Sequence, residues 1–238
     1  MNDRPARVPT LTRAGMRLGM QLTMPLIPGT IAMSAAFGTI AAQKGMTLVE
    51  AVMMSAFLFA GASQLVAMEV WNNVWTFGTI LTLALVTATV NMRYLLMGAA
   101  LQPWLSGMPR TRIAAMLALL VDANWIIAMR YRSEGGSDAG ILLGSGLTMW
   151  MFWVAGTIPG FLVGDLVKNP QRFGLDLVLP IFFAAMLVPL WRGRRRALGW
   201  MVAGAVAWVT AHFVAGYWFI IAGAIAGSIA GAFLDERR

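Results

Sequence analysis

The sequence predicts an all-α protein that crosses a membrane seven or eight times, with some helices broken by proline or glycine. Of its 238 residues, 59% are hydrophobic and only 12% are charged, and the mean hydropathy is +0.71. A water-soluble globule of this size needs more polar surface than that composition supplies. The composition therefore excludes a cytosolic enzyme, a disordered chain and a nucleic-acid-binding domain, although the net charge is +8.

Seven apolar regions, separated by short loops, account for most of the chain. A membrane-spanning helix needs about 20 apolar residues. The regions are 16–42, 48–70, 75–104, 112–130, 138–164, 173–190 and 197–234. The third is longer than one simple crossing, which leaves open whether its helix is broken. The seventh is long enough for two short helices joined near residues 215–217. We therefore expect an N-terminal segment at 1–15, one transmembrane domain at 16–234 and a tail at 235–238.

Arginine clusters predict the orientation in the membrane. Four arginines lie within the first 17 residues, and the loop 192–196 carries four more. Loops rich in arginine and lysine stay in the cytoplasm, and the six regions between these clusters give the even number of crossings required. The apolar run that follows the N-terminal arginines is too long for a cleaved signal peptide. We expect a multi-pass protein of the plasma (inner) membrane with its N-terminus in the cytoplasm.

Weak internal similarity suggests a duplicated unit. Residues 22–24 and 28–30 are similar to residues 147–149 and 155–157, at offsets of 125 and 127. Many transporters contain such repeats, but common apolar residues also match by chance, and both interpretations stay open. A simple count of crossings makes region five parallel to region one, whereas an inverted repeat would require a re-entrant or broken helix.

Helix-breaking and polar residues inside the first two regions are candidate functional residues. Pro28 and Gly29 predict either a discontinuous helix, whose N-terminus faces an anionic substrate group, or a plain proline kink. Ser55 and the run 59–64 predict either a tight helix–helix seam or an unwound segment that lines a site. Gln64 is costly in lipid and should face the protein interior.

Charged residues in the third and fourth regions form a second group of candidates. Arg93, with Asn91 nearby, either snorkels towards the membrane surface or serves as a cation inside the bundle. Asp122 and Asn124 lie at the centre of the fourth region. A carboxylate at that depth predicts a functional site, where it carries a coupling proton, binds a cation or pairs with Arg93.

Catalytic and metal-binding signatures are missing from the sequence. It contains no G-x-S-x-G, H-E-x-x-H or P-loop pattern, no cysteine and a single histidine. We therefore expect no enzyme activity, no bound metal and no cofactor.

Four blocks of sequence resemble the AzlC family over most of the chain, from about residue 15 to residue 189. They are Pro25-x-x-Pro28-Gly29 with Phe37-Gly38, Ser55 with Phe59-Ala60-Gly61-Ala62-Ser63-Gln64, Asn91-Met92-Arg93-Tyr94-Leu95 with Gly98, and Leu175-Asp176-Leu177 followed by Pro180 and Pro189. The resemblance implies the large subunit of a two-component secondary exporter of branched-chain amino acids, with a small AzlD-like membrane subunit of about four helices as partner. Family members often carry an acidic pair in the fourth region, where this chain has Asp122-Ala123-Asn124 and lacks a second acid.

If the protein is such an exporter, we expect roles for the candidate residues. The substrate carboxylate would bind backbone N–H groups near Gly29 and Gly61, and Asp122 with Asn124 would couple transport to the membrane gradient. The predicted substrate-binding set is Pro28, Gly29, Phe37, Ser55, Phe59, Ala60, Gly61, Ser63, Gln64, Asn91 and Arg93. Two alternatives stay open, namely a membrane assembly subunit that does not transport, and a channel.

Overall fold

The computed structural model describes residues 9–71, 75–166, 184, 193–214 and 218–235, and all regular structure within them is helical apart from one isolated bridge between Thr10 and Asp138. Apart from residue 184, the predicted sixth region lies outside the described residues. The helices are α1 (Arg13–Thr23), α2 (Ile27–Gln43), α3 (Leu48–Leu58), α4 (Gly61–Val70), α5 (Phe77–Leu105), α6 (Arg110–Ala118), α7 (Asp122–Ser133), α8 (Gly140–Leu166), α9 (Arg194–Phe213) and α10 (Trp218–Asp235), with a 3₁₀ turn at Met24–Leu26.

The helices follow the predicted apolar regions closely. Among the described residues, three stretches are long and apolar enough to cross a membrane, and they coincide with the first, third and fifth regions: Arg13–Gln43, Phe77–Leu105 and Gly140–Gly164. The third region is one continuous helix, and the described part of the seventh contains two helices, α9 and α10, as expected from its length. The full count of seven or eight spans stays a prediction.

The helix of the first region is not unwound at Pro28 and Gly29. A single 3₁₀ turn joins α1 to α2, and Pro28 lies in the first turn of α2, where its missing N–H leaves no hydrogen bond unmade. Both residues are exposed, and a Cβ atom added at Gly29 would meet no other atom. This geometry is that of a proline kink and places no helix break at Gly29.

The chain divides into two compact units, the first of which comprises Met1–Gln64 and Asn91–Lys168. In this unit, α1 and α2 pack along the whole of α8 through small residues. Glycines of α8 lie against the backbone or short side chains of α1 and α2 at successive positions: Gly144 at Met16, Gly156 at Ser34, Gly160 at Ala35 and Gly164 at Thr39. The contacts advance in the same direction along both partners, so the helices are parallel. This agrees with the orientation that the simple count of crossings predicts.

The shared start of α1 and α8 is held by one carboxylate. Asp138 accepts hydrogen bonds from the Thr12 backbone N–H at 3.1 Å, from the Thr12 hydroxyl and from the Gly140 N–H at 2.9 Å. Thr12 in turn caps α1, because its hydroxyl accepts from the N–H of Gly15. The two helix N-termini therefore begin side by side.

The second unit comprises Leu65–Val90 and Asn169–Arg238. Within it, α9 and α10 form a pair in which Gly223 and Gly227 of α10 approach Ala203 of α9. Small residues at four-residue spacing let two helix backbones come this close. The hairpin expected from the length of the seventh region is thus a packed helix pair.

Candidate functional site

The helix of the second region is interrupted at Phe59 and Ala60, between α3 and α4. Phe59 has φ of 29° and ψ of 53°, and it is the one described residue other than glycine with a positive φ. A bulky side chain rarely adopts this conformation, so the surrounding structure must hold it. Of the two interpretations left open by the sequence, the structure shows the unwound segment.

A closed ring of four hydrogen bonds lies at this break, buried between α3, α4 and α8. The Trp153 indole Nε1 donates to Gln64 Oε1 at 3.0 Å, and Gln64 Nε2 donates to Ser55 Oγ at 3.3 Å. Ser55 Oγ lies 2.8 Å from Thr157 Oγ1, which donates to the Trp153 carbonyl at 2.9 Å. Because the Thr157 proton points to that carbonyl, the Ser55 hydroxyl must donate to Thr157. We call this set of Ser55, Gln64, Trp153 and Thr157 the polar ring.

The hydrogen bonds of the polar ring are shielded from solvent. Ser55, Gln64 and Thr157 are fully buried, and Trp153 nearly so. Hydrogen bonds linked head to tail in a low-dielectric interior strengthen one another, and a missing member leaves its neighbour unsatisfied. The ring therefore fixes the two halves of the broken helix against α8.

The first turn of α4 is arranged around Gly61 and the carbonyl of Ala60. That carbonyl accepts from the Gln64 N–H at 2.9 Å and from the Ser63 hydroxyl at 2.9 Å. A Cβ atom added at Gly61 would overlap the Trp153 indole, which the Gln64 bond holds in place. The first N–H groups of a helix have no carbonyl partner one turn back, and such a terminus favours a negative charge.

Two members of the polar ring, Trp153 and Thr157, were missed by reasoning from the sequence. Both lie in α8, far along the chain from Ser55 and Gln64. One signal is visible in retrospect, since Trp153 is at the middle of an apolar run, whereas most tryptophans of the chain flank such runs. An indole N–H at that depth requires an acceptor inside the protein.

A second helix break, at residues 119–121, divides the fourth region into α6 and α7. The expectation that Asp122 lies in the middle of a continuous helix is wrong, because it is the first residue of α7. The buried side chain of Asn124 closes the break, as its Nδ2 donates to the Leu119 carbonyl at 2.7 Å and its Oδ1 accepts from the Val121 N–H at 2.8 Å. This amide replaces two backbone hydrogen bonds, which is why the helix can be interrupted there.

Arg93 and Asp122 form an ion pair that joins α5 to α7. Arg93 Nη2 lies 3.0 Å from Asp122 Oδ2, and the side chains are 26% and 31% exposed. A second link is close by, since Trp125 Nε1 donates to the Met97 carbonyl at 3.2 Å. Of the alternatives that the sequence left open, the structure shows Arg93 paired inside the first unit.

The structure brings the predicted site residues together only in part. Ser55, Phe59, Ala60, Gly61, Ser63 and Gln64 form the first break, while Asn91, Arg93, Asp122 and Asn124 lie around the second. Phe37 is fully buried but has no described hydrogen bond or ring contact with either group, and Pro28 and Gly29 are exposed. In the described part of the chain, no three His, Asp or Glu residues are grouped as metal ligands.

One helix, α8, contacts both breaks. Its Gly146 lies against Leu119 and Asn124 of the second break, and its Trp153 lies against Gly61 of the first. These two positions are separated by seven residues, or about 10 Å along the helix. The two interruptions therefore share a single support within the first unit.

Comparison with known proteins gives the family. The model of the AzlC protein family matches residues 25–167, which include both breaks and all of α8. The chain is 26% identical to the inner membrane protein YgaZ of Escherichia coli, over 87% of this chain and 86% of that protein. It is 23% identical to the branched-chain amino acid transport protein AzlC of Bacillus subtilis, over 77% and 70% of the two chains. It is 24% identical to a membrane protein of Archaeoglobus fulgidus, over 95% and 97%.

No solved structure matches the chain. The relatives are membrane proteins, in agreement with the long apolar helices. Because the family match covers well over half of the 238 residues, the chain belongs to the AzlC family.

Proposed function

We propose that this protein exports branched-chain amino acids as the large subunit of a two-component secondary transporter. The name of the Bacillus subtilis relative supports amino acid transport. The observation that carries the proposal is the polar ring at the first break. A helix interrupted at membrane depth exposes backbone groups that bind polar parts of a substrate, as broken helices of transporters do.

The break offers complementary surfaces for a branched-chain amino acid. The N-terminus of α4 at Gly61 favours a carboxylate, and Phe59 and Ala60 supply apolar surface for an aliphatic side chain. Phe59 is held in an uncommon backbone conformation, and such positions are frequent where a segment must change between two arrangements. The polar ring would stabilise one of these arrangements.

The proposal includes the location and the partner. The two arginine clusters support a plasma-membrane protein with a cytoplasmic N-terminus. The parallel packing of α1 and α8 supports an even number of crossings from the first region to the fifth. A small AzlD-like membrane subunit would complete the transporter. The glycines of α8 contact α1 and α2 of this chain, so that seam does not require a partner.

Counterflow of labelled leucine or valine in proteoliposomes tests the function, with the chain reconstituted with and without a small AzlD-like subunit. We expect labelled substrate to accumulate transiently against an internal pool of unlabelled substrate. A channel would give flux without counterflow, and an assembly subunit would give neither. Failure of the complete wild-type complex to exchange either amino acid would refute the proposal.

Glycine substitutions test whether the first break forms the site. Gly61→Leu should abolish exchange while the protein still inserts, since any Cβ there overlaps the Trp153 indole. Gly204→Leu in α9 is the matched control, because its Cβ meets no other atom. Gly29→Leu, equally unhindered, shows whether the exposed proline kink takes part. Full exchange by Gly61→Leu would remove the first break from the site.

A further inference from the structure

The ion pair between Arg93 and Asp122 leaves much of its hydrogen-bonding capacity unused. Arg93 Nη2 lies 3.0 Å from Asp122 Oδ2, and the guanidinium also lies against Tyr94, 5.2 Å from the centre of its ring. Arginine has five N–H donors and commonly binds a carboxylate through two of them. Arg93 Nε is buried without a hydrogen-bond partner, and so is the Asn91 Oδ1 acceptor two residues away. Buried polar atoms are nearly always satisfied in a complete structure. These unsatisfied atoms beside the ion pair are consistent with a ligand that binds there.

The charges of the pair restrict what that group can be. Removing one partner of a sheltered ion pair leaves an uncompensated charge and is strongly unfavourable. A simple anion would displace Asp122 from Arg93 and leave Asp122 unpaired, and a simple cation would leave Arg93 unpaired. A ligand with one positive and one negative group avoids both penalties. An α-amino acid is such a ligand, because it is a zwitterion at neutral pH.

We infer that Arg93 and Asp122 separate to bind the two charged groups of an amino acid, with its carboxylate on Arg93 and its ammonium on Asp122. This inference rests on the proposed function and adds a second contact to it: the amino acid binds the ion pair at the second break at a different step of transport from its binding at Gly61. The predicted role of Asp122 is coupling. The two side chains are accessible enough to be reached, at 26% and 31% exposed. No proton transfer or change in net charge is required.

The position of Asp122 supports this exchange of partners. As the first residue of α7, its carboxylate lies at a helix N-terminus, where the unpaired N–H groups and the helix dipole stabilise a negative charge. The Asp122 carboxylate therefore keeps a stabilising environment when Arg93 turns to the substrate. The Asn124 amide and the Trp125 indole bond hold α7 in place beside α5.

Substrate analogues that lack one charged group test the inference. In the complete wild-type complex, counterflow of labelled leucine is measured in the presence of one competitor at a time. The competitors are unlabelled leucine, 4-methyl-2-oxopentanoate and leucinamide. The keto acid lacks the ammonium group, and the amide lacks the carboxylate. We expect leucine to compete at least about tenfold more strongly than either analogue, since each loses a charged hydrogen bond. Equal competition by either analogue would overturn the inference.

Variants assign each charge to its residue. Asp122→Asn should lose the preference for leucine over the keto acid and keep the preference over leucinamide, and Arg93→Gln should do the reverse. Where a single variant is too unstable to assay, the double variant Arg93→Gln/Asp122→Asn leaves no charge unpaired. The inference expects this double variant to lose both preferences, and wild-type preferences in it would show that the pair is structural only.

A matched control is available in α7. Arg130 and Glu134 form an ion pair of the same 3.0 Å length that is 80% and 63% exposed. The variant Arg130→Gln/Glu134→Gln should keep wild-type preferences. The outcomes also separate the two proposals, because a wild-type complex that exchanges no amino acid refutes the export function itself. A wild-type complex that exchanges leucine without these preferences refutes only the roles of Arg93 and Asp122.

Discussion

Replacing Gln64 by leucine should destabilise the protein through the polar ring. The substitution keeps the side-chain volume close to that of glutamine but removes the acceptor of the Trp153 indole at 3.0 Å and the donor to Ser55 at 3.3 Å. The buried indole N–H would then be unsatisfied, at a cost of about 1–3 kcal/mol. For a protein of this size, that corresponds to a decrease in melting temperature of roughly 2–12 °C. Gln21→Leu, at an exposed position of α1, should change stability by less than about 0.5 kcal/mol.

A double-mutant cycle isolates the ring from other effects of the substitution. Trp153→Phe removes the indole donor, so the double variant Gln64→Leu/Trp153→Phe contains neither the orphaned donor nor the orphaned acceptor. Its destabilisation should be smaller than the sum of the two single variants by about 1–3 kcal/mol. The measurement is thermal melting of purified protein in detergent. Melting shifts that simply add would refute the argument that these two side chains depend on each other.

Substitutions at Gly160 and Asn124 test the contacts that hold α8 and α7 in place. Gly160→Leu should sharply reduce the yield of folded protein, because a Cβ there overlaps the backbone of Ala35. Gly231→Leu, whose Cβ would meet no other atom, should not reduce it, and fluorescence-detected gel filtration measures both. Asn124→Leu should lower stability by about 1–3 kcal/mol for each of the two backbone groups it orphans, and Asn124→Asp by less, since a carboxylate still accepts from the Val121 N–H. Equal melting temperatures for the two Asn124 variants would contradict the capping role.

The positions of most helices along the chain could be predicted, because the length and hydropathy of a segment are properties of its own residues. The first, third and fifth regions each became one long helical stretch, and the described part of the seventh contains the two helices that its length predicted. The start of α3 was also readable in principle, as Thr47 and Glu50 form a capping box.

The helix breaks show where local rules stop being sufficient. Proline and glycine at positions 28 and 29 suggested a break that did not occur, because proline is tolerated in the first turn of a helix. Leucine and valine at positions 119–121 gave no such warning, yet the helix is broken there. The difference lies in the Asn124 side chain, which supplies the hydrogen bonds that the interrupted backbone loses.

The sequence by itself determined that the chain is a helical membrane protein, which segments are apolar and which polar residues lie among them. Hydropathy and charge depend only on the residues present, so they can be read without coordinates. Only the tertiary structure decided which of those polar residues meet. Ser55 and Gln64 find Trp153 and Thr157 because α8 packs against α3 and its Trp153 reaches the first turn of α4. A buried donor is strongly favoured to meet an acceptor, and packing determines which acceptor it meets. In the polar ring, packing joins positions about 100 residues apart in the chain.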